Sequence, residues 1–452
     1  ETNGALGGTQ TLGMVSGFYH GYRSGHTANQ EARRSAFLET LQHGRSGSRW
    51  TERLLFYDRA VAEAGGRCRL ETTVCGGMKR DSTVIGLLAA DRSGLFRIEA
   101  ETTVDATGEA DAAAACGAAT RFGCPRTGNT QAYSQWSKGT AQFGAASTHL
   151  DLDVIDQRLL SEVLRGLRIA HRKGSDYDFA PMLTVREGRR IVGEHTLTLV
   201  DILEGRTWDD AVAEAETDWD PHGIGSSWLA RLGFLPVHCE QFRLQIPLRC
   251  CIPRGLSGML VCAKSISATA DAACLCRMVP DIQNLGWAVG RAAAEAARRH
   301  GDVRRIDTEA LRNALAASGV VRTHLPNRSV VSGSVPERVD RLAAGDESAL
   351  LDVVVLPRSR ALRALKHAWE DATGDRTLIA CGLAWFGDPT GASALRQALE
   401  ALLVAAAQPY DDIHPHKPGN PKAGMVDGPD DYWRINRLLF LLGRIRDAKA
   451  VP

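Results

Sequence analysis

Several features that mark other classes of protein are missing from this chain of 452 residues. No run of about 18 apolar residues occurs, so no segment is long enough to cross a membrane as a helix. The net charge of +1 argues against nucleic acid as the main partner. The 11 cysteines include no Cys-x-x-Cys pair, which favours reduced thiols over a disulfide framework or a zinc site. We therefore expect no metal, no nucleic acid and no membrane partner.

The composition that remains is that of a globular protein. Hydrophobic residues make up 44% of the chain and charged residues 24%. At about 150 residues per domain, this length predicts two to four domains with ample core. The cellular location stays open, with the cytoplasm as the default.

The most informative stretch is Val104-Asp-Ala-Thr-Gly-Glu-Ala-Asp111, which continues into an alanine-rich run. Residues 102–104 are predicted to end a buried strand, and residues 109–115 to form a helix. Between them, Gly108 can adopt backbone angles that other residues avoid and lets a ligand approach the main chain. The helix start offers unpaired N–H groups to an anion. Such a turn suits a nucleotide cofactor, although packing alone would also explain the small residues.

A second stretch has the same character. Leu260-Val-Cys-Ala-Lys-Ser-Ile-Ser-Ala-Thr269 predicts a buried strand that runs into small and hydroxyl residues. It precedes a long helix that ends near Arg298, with basic residues in its last turn and a glycine just beyond. Gly286 and Gly290 lie four residues apart, so they share one face of this helix and leave room for something flat. The start of the helix is therefore expected to face a ligand.

Taken together, these stretches resemble the FAD-dependent oxidoreductases of the glutathione-reductase-like superfamily, in a bacterial branch with appended helical repeats. The other matching pieces are Leu6-Gly-Gly-Thr9 and Val185-Arg-Glu-Gly-Arg-Arg-Ile-Val-Gly-Glu194. The resemblance covers roughly the first 320 residues, in the family's order. It implies an α/β fold: a Rossmann-like FAD-binding domain in residues 1–125 and 241–322, and an α+β substrate domain inserted as residues 126–240.

The resemblance also implies the cofactor and the residues that hold it. In the family a strand, a Gly-x-Gly-x-x-Gly turn and a helix come first, and an acidic residue then binds the adenosine ribose. Glu1 stands at that acidic position, so the chain is expected to be N-terminally truncated and to lack the first βα unit. The implied contacts to FAD come from Glu1, Gly7, Gly8, Val74, Asp105, Ala106, Thr107, Gly108, Asp111, Ala263, Ser265, Ser267 and Gly286. Ala263 departs from the family, which usually has glycine there.

Candidate catalytic residues lie on the substrate side. Arg186 and Arg189 would stabilise the negative charge of reduced flavin or hold a substrate carboxylate, and ion pairing with Glu187, Glu194 or Asp201 is the alternative. His195 is a candidate proton acceptor, although a lone histidine is more often structural. Residues 185–192 fit either a helix or a strand. In the family the segment after Leu-Gly-Gly passes the flavin, so Tyr19, His20, Tyr22 and His26 are further candidates, with an ordinary surface loop as the alternative.

The remaining segments allow a coarse structural prediction. Residues 51–64 are predicted to form a helix, and residues 67–74, 83–90 and 95–104 three strands of a meander. Residues 337–452 are predicted to form HEAT-like helical repeats, because Asp346 and Asp388 each follow an apolar helix and lie 42 residues apart. Residues 409–429 would be an insertion, and the last repeat would be incomplete. Such arrays bind a protein partner or brace a neighbouring domain.

These features favour an FAD-dependent oxidoreductase that takes a hydride or two electrons from a small organic substrate. The alternative is a non-catalytic scaffold or binding protein that acts through its helical repeats. A lyase or hydrolase has no support in the sequence. The sequence contains no nucleophile–base pair and no metal-ligand cluster with the spacing of a known catalytic motif.

Overall fold

The fold is taken from a computed structural model of the chain. It describes residues 1–15, 17–41, 50–123, 134–139, 147–151, 159–173, 177–179, 184–220, 229, 232–234, 241–322, 330–331, 333–405 and 432–450. The chain divides into two compact units. Unit 1 comprises Glu1–Ile202, Arg206–His222 and Gln241–Asn327, and unit 2 comprises Leu203–Gly205, Gly223–Glu240 and Arg328–Pro452. Among the described residues, no helix is both long and apolar enough to span a membrane.

Five small sheets contain the strands that the structure describes. An antiparallel meander is formed by β1 (Thr73–Arg80), β2 (Thr83–Asp91) and β3 (Gly94–Glu99). The parallel pair β4 (Thr103–Asp105) and β12 (Met259–Val261) aligns Asp105 with Val261. The antiparallel sheets are β5 (Thr120–Arg121) with β9 (Arg190–Ile191), β7 (Ser147–Asp151) with β6 (Ser134–Gly139) and β8 (Tyr177–Phe179), and β10 (Ala211–Asp218) with β11 (Gln241–Pro247).

Eight helices of the described chain begin in unit 1. They are α1 (Gly25–Thr40), α2 (Trp50–Glu63), α3 (Asp111–Ala115), α4 (Leu160–Lys173), α5 (Leu199–Leu203, whose last residue belongs to unit 2), α6 (Ala270–Ala273), α7 (Val279–Ala297) and α8 (Thr308–Ala317). Helix α7 is central, because it packs against α1, β4, β10 and β12. Its inner face buries small residues such as Ala288 and Ala292, which let the strands approach closely.

A compact core joins α3 to the strands beside it. Ala112 and Ala113 of α3 pack with Val84, Met259 and Val261, and Val74 packs against the same cluster. At about 25 cal/mol per Å² of apolar surface removed from water, this burial fixes the position of α3 and of the turn before it.

Unit 2 is helical in its longest described part. Its helices are α9 (Val335–Ala343), α10 (Ala349–Val354), α11 (Arg358–Asp371), α12 (Thr377–Trp385), α13 (Ala392–Ala405) and α14 (Tyr432–Arg444). Helix α9 begins with a capping box, in which Glu337 accepts a hydrogen bond from the backbone of Ser334 at 2.6 Å. Helix α12 is buried between its neighbours and packs against α11, α13 and α14. The predicted insertion at residues 409–429 lies outside the described residues.

Most predicted elements are confirmed, with three corrections. The helix predicted at residues 51–64 is α2, and the long helix is α7 with Arg298 as its C-cap. The first strand was predicted at residues 67–74 but runs from Thr73 to Arg80. The strand predicted at 95–104 is two strands in different sheets, β3 and β4. Residues 185–192 form neither a helix nor a full strand, since only β9 is regular there.

Candidate functional site

The turn after β4, residues 105–108, is called the Asp105 turn here, and its own side chains build it. Asp105 is 1% exposed. Its Oδ1 accepts hydrogen bonds from the backbone N of Thr107 at 2.9 Å and from the Thr107 hydroxyl at 2.7 Å, and its Oδ2 accepts one from the backbone N of Ala113 at 2.7 Å. The Thr107 hydroxyl accepts from the backbone N of Asp111 at 2.9 Å. These two side chains therefore shape the turn, and the approachable group is the main chain at Gly108, whose φ is +80°.

The turn after β12, residues 262–265, lies beside the Asp105 turn because the two strands are parallel neighbours. The backbone N of Cys262 donates to the carbonyl of Asp105 at 2.9 Å. Ala263 has a φ of +65°, a left-handed conformation that favours glycine. This left-handed backbone conformation explains why the resembled family usually has glycine at the position of Ala263. Ser265 is fully buried, and its hydroxyl has no hydrogen-bond partner among the described residues.

Lys264 connects the two turns. Its Nζ lies 2.6 Å from Oε1 of Glu109, and its Cε lies 3.5 Å from where a side chain at Gly108 would begin. Burial lowers the pKa of Lys264, while the Glu109 carboxylate opposes that shift. The structure thus places one ammonium group beside the approachable main chain of the Asp105 turn.

Ser267, also predicted to bind the cofactor, has a different environment. Its hydroxyl is 2.9 Å from the hydroxyl of Thr196, and its backbone N donates to the carbonyl of Cys250 at 2.9 Å. Ser267 is fully buried. These contacts tie it to the segment around Thr196 rather than to the Asp105 turn.

The start of α7 is anchored by the N-terminal segment. The carboxylate of Asp281 accepts a hydrogen bond from the backbone N of Tyr22 at 2.6 Å. Asn284 accepts from the backbone N of Thr27 at 3.1 Å and donates to the carbonyl of Tyr22 at 3.0 Å. Burial raises the pKa of Asp281 well above its usual range. Gly286, on the next turn, has open space where a Cβ would be, as the prediction of a flat ligand requires.

The two glycines near the N-terminus differ in what their missing side chains permit. A Cβ on Gly7 would lie 2.8 Å from the ring of Tyr57, so packing alone requires glycine there. A Cβ on Gly8 would meet nothing within 4 Å. Gly7 is therefore explained by the close approach of Tyr57, and Gly8 faces open space.

Glu1 lies close in space to the segment that leads into β1. Its carbonyl accepts from the backbone N of Thr72 at 2.9 Å, two residues before Val74. Its carboxylate accepts from the backbone N of Asn3 at 3.0 Å. The structure thus brings the start of the chain near Val74.

The arginines of residues 186–190 are held by different partners. Arg189 forms an ion pair with Asp111, and its Nε donates to the carbonyl of Glu109 at 3.0 Å. Burial raises the pKa of Asp111 although the charge of Arg189 opposes it. Arg190 is buried, pairs with Glu187 and donates to the carbonyl of Ala268 at 3.0 Å. The expected ion pair with Glu187 is formed by Arg190, whereas Arg189 pairs with Asp111 at the start of α3, just after the Asp105 turn.

His195 sits in another group of side chains. Its ring packs against Trp208, with the centroids 4.6 Å apart, and its Nε2 lies 3.7 Å from Asp201. Arg186, the remaining catalytic candidate, is buried. Arg189 thus lies at the start of α3, just after the Asp105 turn, while the contacts described for His195 are with Trp208 and Asp201.

Sequence reasoning missed an acidic row on β10. Glu214, Glu216 and Asp218 alternate along the strand, and this period of two is the signal that could have revealed them. The hydroxyl of Tyr19 donates to Oδ2 of Asp218 at 3.0 Å, and Nε2 of His20 lies 3.6 Å from its Oδ1. Burial and the charge of Asp218 raise the pKa of Tyr19. Two of the candidate residues near the N-terminus thus share one carboxylate.

The described residues fit a dinucleotide cofactor better than a metal. No cluster of three or more metal-ligating side chains occurs among them. The open main chain at Gly108, the adjacent ammonium of Lys264 and the unpartnered hydroxyl of Ser265 lie on two neighbouring turns. Backbone N–H groups, a cation and a hydroxyl are donors that a pyrophosphate or ribose can accept from.

Comparisons with known proteins give the family directly. The family model described as FAD dependent oxidoreductase matches residues 1–161 and 150–315, which include both turns and all of α7. No curated protein and no solved structure gives a significant match. Since the two matched ranges together cover 315 of the 452 residues, the chain belongs to the FAD-dependent oxidoreductase family, an enzyme family whose cofactor is FAD.

Proposed function

We propose that this oxidoreductase holds FAD against the Asp105 turn and the 262–265 turn, and that it takes a hydride or two electrons from a small organic substrate. The observation that carries the proposal is the parallel pairing of β4 with β12. Parallel neighbours end at the same edge, and ligands in open α/β sheets bind outside the carboxyl ends of strands. Helix α7 packs against both strands and against the 262–265 turn.

Each group at this edge has a definite task in that proposal. Bound FAD supplies the two-electron chemistry. Asp105 holds the turn so that the main chain at Gly108 stays approachable. Lys264 places a positive charge where phosphate oxygens would lie, and low exposure strengthens that interaction. Ser265 supplies a buried hydroxyl whose partner would come from the ligand.

The substrate-side roles stay with the predicted arginines and histidine. Arg189 has the better structural support, because it contacts Asp111 and the Glu109 carbonyl, just after the Asp105 turn. Its guanidinium would stabilise negative charge near the cofactor or orient a substrate carboxylate. Arg186 and His195 remain candidates for substrate orientation and proton transfer. Glu1, Gly8, Val74 and Gly286 remain proposed cofactor contacts.

A scaffold role for the helical region is the second proposal. Helices α13 and α14 pack together, and each leaves large apolar side chains exposed: Leu403 at 53%, Val404 at 80% and Leu439 at 48%. Exposed apolar groups on neighbouring helices favour contact with a protein partner. HEAT-like repetition of residues 337–452 would supply such a surface.

The first test is the visible absorbance spectrum of the purified chain with added FAD. It should be recorded for the chain itself and for a form extended by a strand, a glycine-rich turn and a helix before Glu1. Flavin retained by either form supports the proposal. Retention by neither form would refute FAD binding and leave the scaffold role.

Two valine substitutions locate the site. Gly108→Val should abolish flavin retention, and Gly255→Val is its matched control, because Gly255 has a φ of +79° and open space around it. Gly286→Val should do the same, with Gly290→Val on the same helix as control, since Gly290 is exposed and also has no neighbours within 4 Å. Stoichiometric flavin in both site variants would refute the assignment of these elements.

A further inference from the structure

Three polar side chains meet between the N-terminal segment, α2 and α7. The Tyr57 hydroxyl lies 2.5 Å from Oε1 of Gln10. Nε2 of Gln283 donates to Oε1 of Gln10 at 3.0 Å and to the Tyr57 oxygen at 3.2 Å. Burial raises the pKa of Tyr57, so its hydroxyl stays protonated and donates to Gln10. These bonds couple the two amides, so that one of them points its nitrogen away from the cluster and the other its oxygen.

Among the described residues, this arrangement leaves one donor group and one acceptor without a partner. Gln10 is 5% exposed, and its buried Nε2 makes no hydrogen bond. Oε1 of Gln283 is likewise buried and makes none. A buried polar group left unpaired costs about 1–3 kcal/mol. Two such groups on one cluster indicate that something outside the protein completes them.

Two glycines close to the cluster have open space where a side chain would begin. Gln10 ends the short helical turn Gly8–Gln10, and a Cβ on Gly8 would meet nothing within 4 Å. Gly286 follows Gln283 by three residues, so both lie on one face of α7, and Gly286 also has open space. An amide N–H and an amide oxygen on two contacting side chains together match a ligand that carries one acceptor and one donor, as the edge of an amide or an imide does.

We propose that Gln10 and Gln283 form a subsite for an imide or amide edge, and that its occupant is the pyrimidine ring of the flavin. Gln10 Nε2 donates to a ring carbonyl, and Gln283 Oε1 accepts from the ring N3–H. The proposal rests on the proposed FAD site, because FAD is the ligand with an imide edge that the family implies. A substrate amide shares this chemistry and is distinguished by the test.

The test compares FAD with FAD methylated at N3, which has lost the ring donor. Dissociation constants are measured by quenching of flavin fluorescence with the unaltered chain and with Gln283→Leu. The unaltered chain should bind the methylated cofactor about tenfold more weakly or worse, because the methyl group leaves the oxygen of Gln283 unpaired. Gln283→Leu should bind FAD about tenfold more weakly and lose the discrimination between the two flavins.

The control is Gln397→Leu, which removes an exposed glutamine from α13 and should change neither constant. Unchanged thermal unfolding of Gln283→Leu shows that any loss comes from the subsite. If the unaltered chain binds both flavins equally, the assignment of the subsite to the flavin is overturned, while the proposed FAD-dependent function stands. Equal binding is the result expected if a substrate amide or an ordered water occupies the subsite. If the chain binds no FAD in any form, both the proposed function and this inference are refuted.

Discussion

Asp105 offers the most direct test of how the site is built. Replacing it with alanine removes the acceptor of three hydrogen bonds, at 2.7–2.9 Å, from Thr107 and Ala113. Thr107 is exposed, so water can take over its two donors, but Ala113 is fully buried and its N–H would be left unpaired. A buried unpaired N–H costs about 1–3 kcal/mol. The cost is expected to be higher here, because a hydrogen bond to a charged carboxylate is stronger than one to a neutral acceptor. We expect a local cost of about 2–4 kcal/mol.

The assay for Asp105→Ala must be local, because the chain has two compact units and a single free energy of unfolding is not well defined for such a protein. Amide hydrogen exchange of the peptide that spans residues 103–118 reports the opening of the turn directly. A cost of 2–4 kcal/mol corresponds to roughly 30- to 1000-fold faster exchange at Ala113. FAD retention should be lost in parallel.

Thr107→Val is the matched control for Asp105→Ala. It removes only one hydroxyl, from an exposed residue, and should cost about 1 kcal/mol or less. If Asp105→Ala left both the protection of Ala113 and the affinity for FAD unchanged, the carboxylate would not be what shapes the turn.

The other predictions concern the turn after β12 and the start of α7. Ala263→Gly should stabilise unit 1 by about 0.5–1 kcal/mol, since it relieves a left-handed alanine at φ +65°; a lower unfolding temperature would contradict this. Lys264→Met and Glu109→Gln, combined in a double-mutant cycle, should show a coupling energy of about 1 kcal/mol, and additive effects would disprove the contact. Because burial raises the folded-state pKa of Asp281, the folded state binds its proton more tightly, and stability falls as pH rises above about 4. Asp281→Asn should therefore gain stability relative to the unaltered chain as pH rises above about 4, by up to about 1.4 kcal/mol per pH unit, in urea titrations; a constant difference would argue against a neutral carboxyl.

Local signals in the sequence were enough to predict the elements that carry the site. The β-branched residues before Asp105, the glycine after it and the alanine run predict strand, turn and helix without any long-range information. Helix α7 has Pro280 in its first turn and Gly301 beyond its end, which are the ordinary start and stop signals. What the sequence could not supply is the partner of β4, since pairing with β12 depends on the whole fold.

The first strand of the meander was misplaced because its two glycines look like a turn. Gly76 and Gly77 lie inside β1, at an irregularity in its pairing with β2. A Cβ on Gly77 would come within 2.7 Å of the Cα of Cys116, so the close approach of the segment after α3 requires glycine there. Glycine inside a strand often marks such a contact, and only the tertiary structure distinguishes it from a turn.

Residues 185–192 show that the spacing of charged residues does not by itself determine the secondary structure of a short segment. The spacing of Arg186, Arg189 and Arg190 fits a helix or a strand, yet tertiary contacts decide the local structure. Arg190 is buried against the carbonyl of Ala268 and the carboxylate of Glu187, while Arg189 reaches Asp111. A buried guanidinium needs all of its donors satisfied, and this requirement outweighs the weak preference of a short segment for one regular structure.

Glycines that the resemblance grouped together as cofactor contacts separate into two physical classes. Gly7 is required by Tyr57, whereas Gly8, Gly108 and Gly286 have no backbone and no rigid side chain within 3.4 Å of the position of a Cβ. Packing explains Gly7, and the left-handed backbone at Gly8 (φ +44°) and Gly108 (φ +80°) favours glycine at those positions, whereas neither packing nor backbone conformation requires glycine at Gly286. These three glycines lie beside Gln10, at the Asp105 turn and on α7 next to Gln283, where unpaired or approachable polar groups also occur. Gly7 still contributes indirectly, because the tyrosine that it admits holds Gln10 in place.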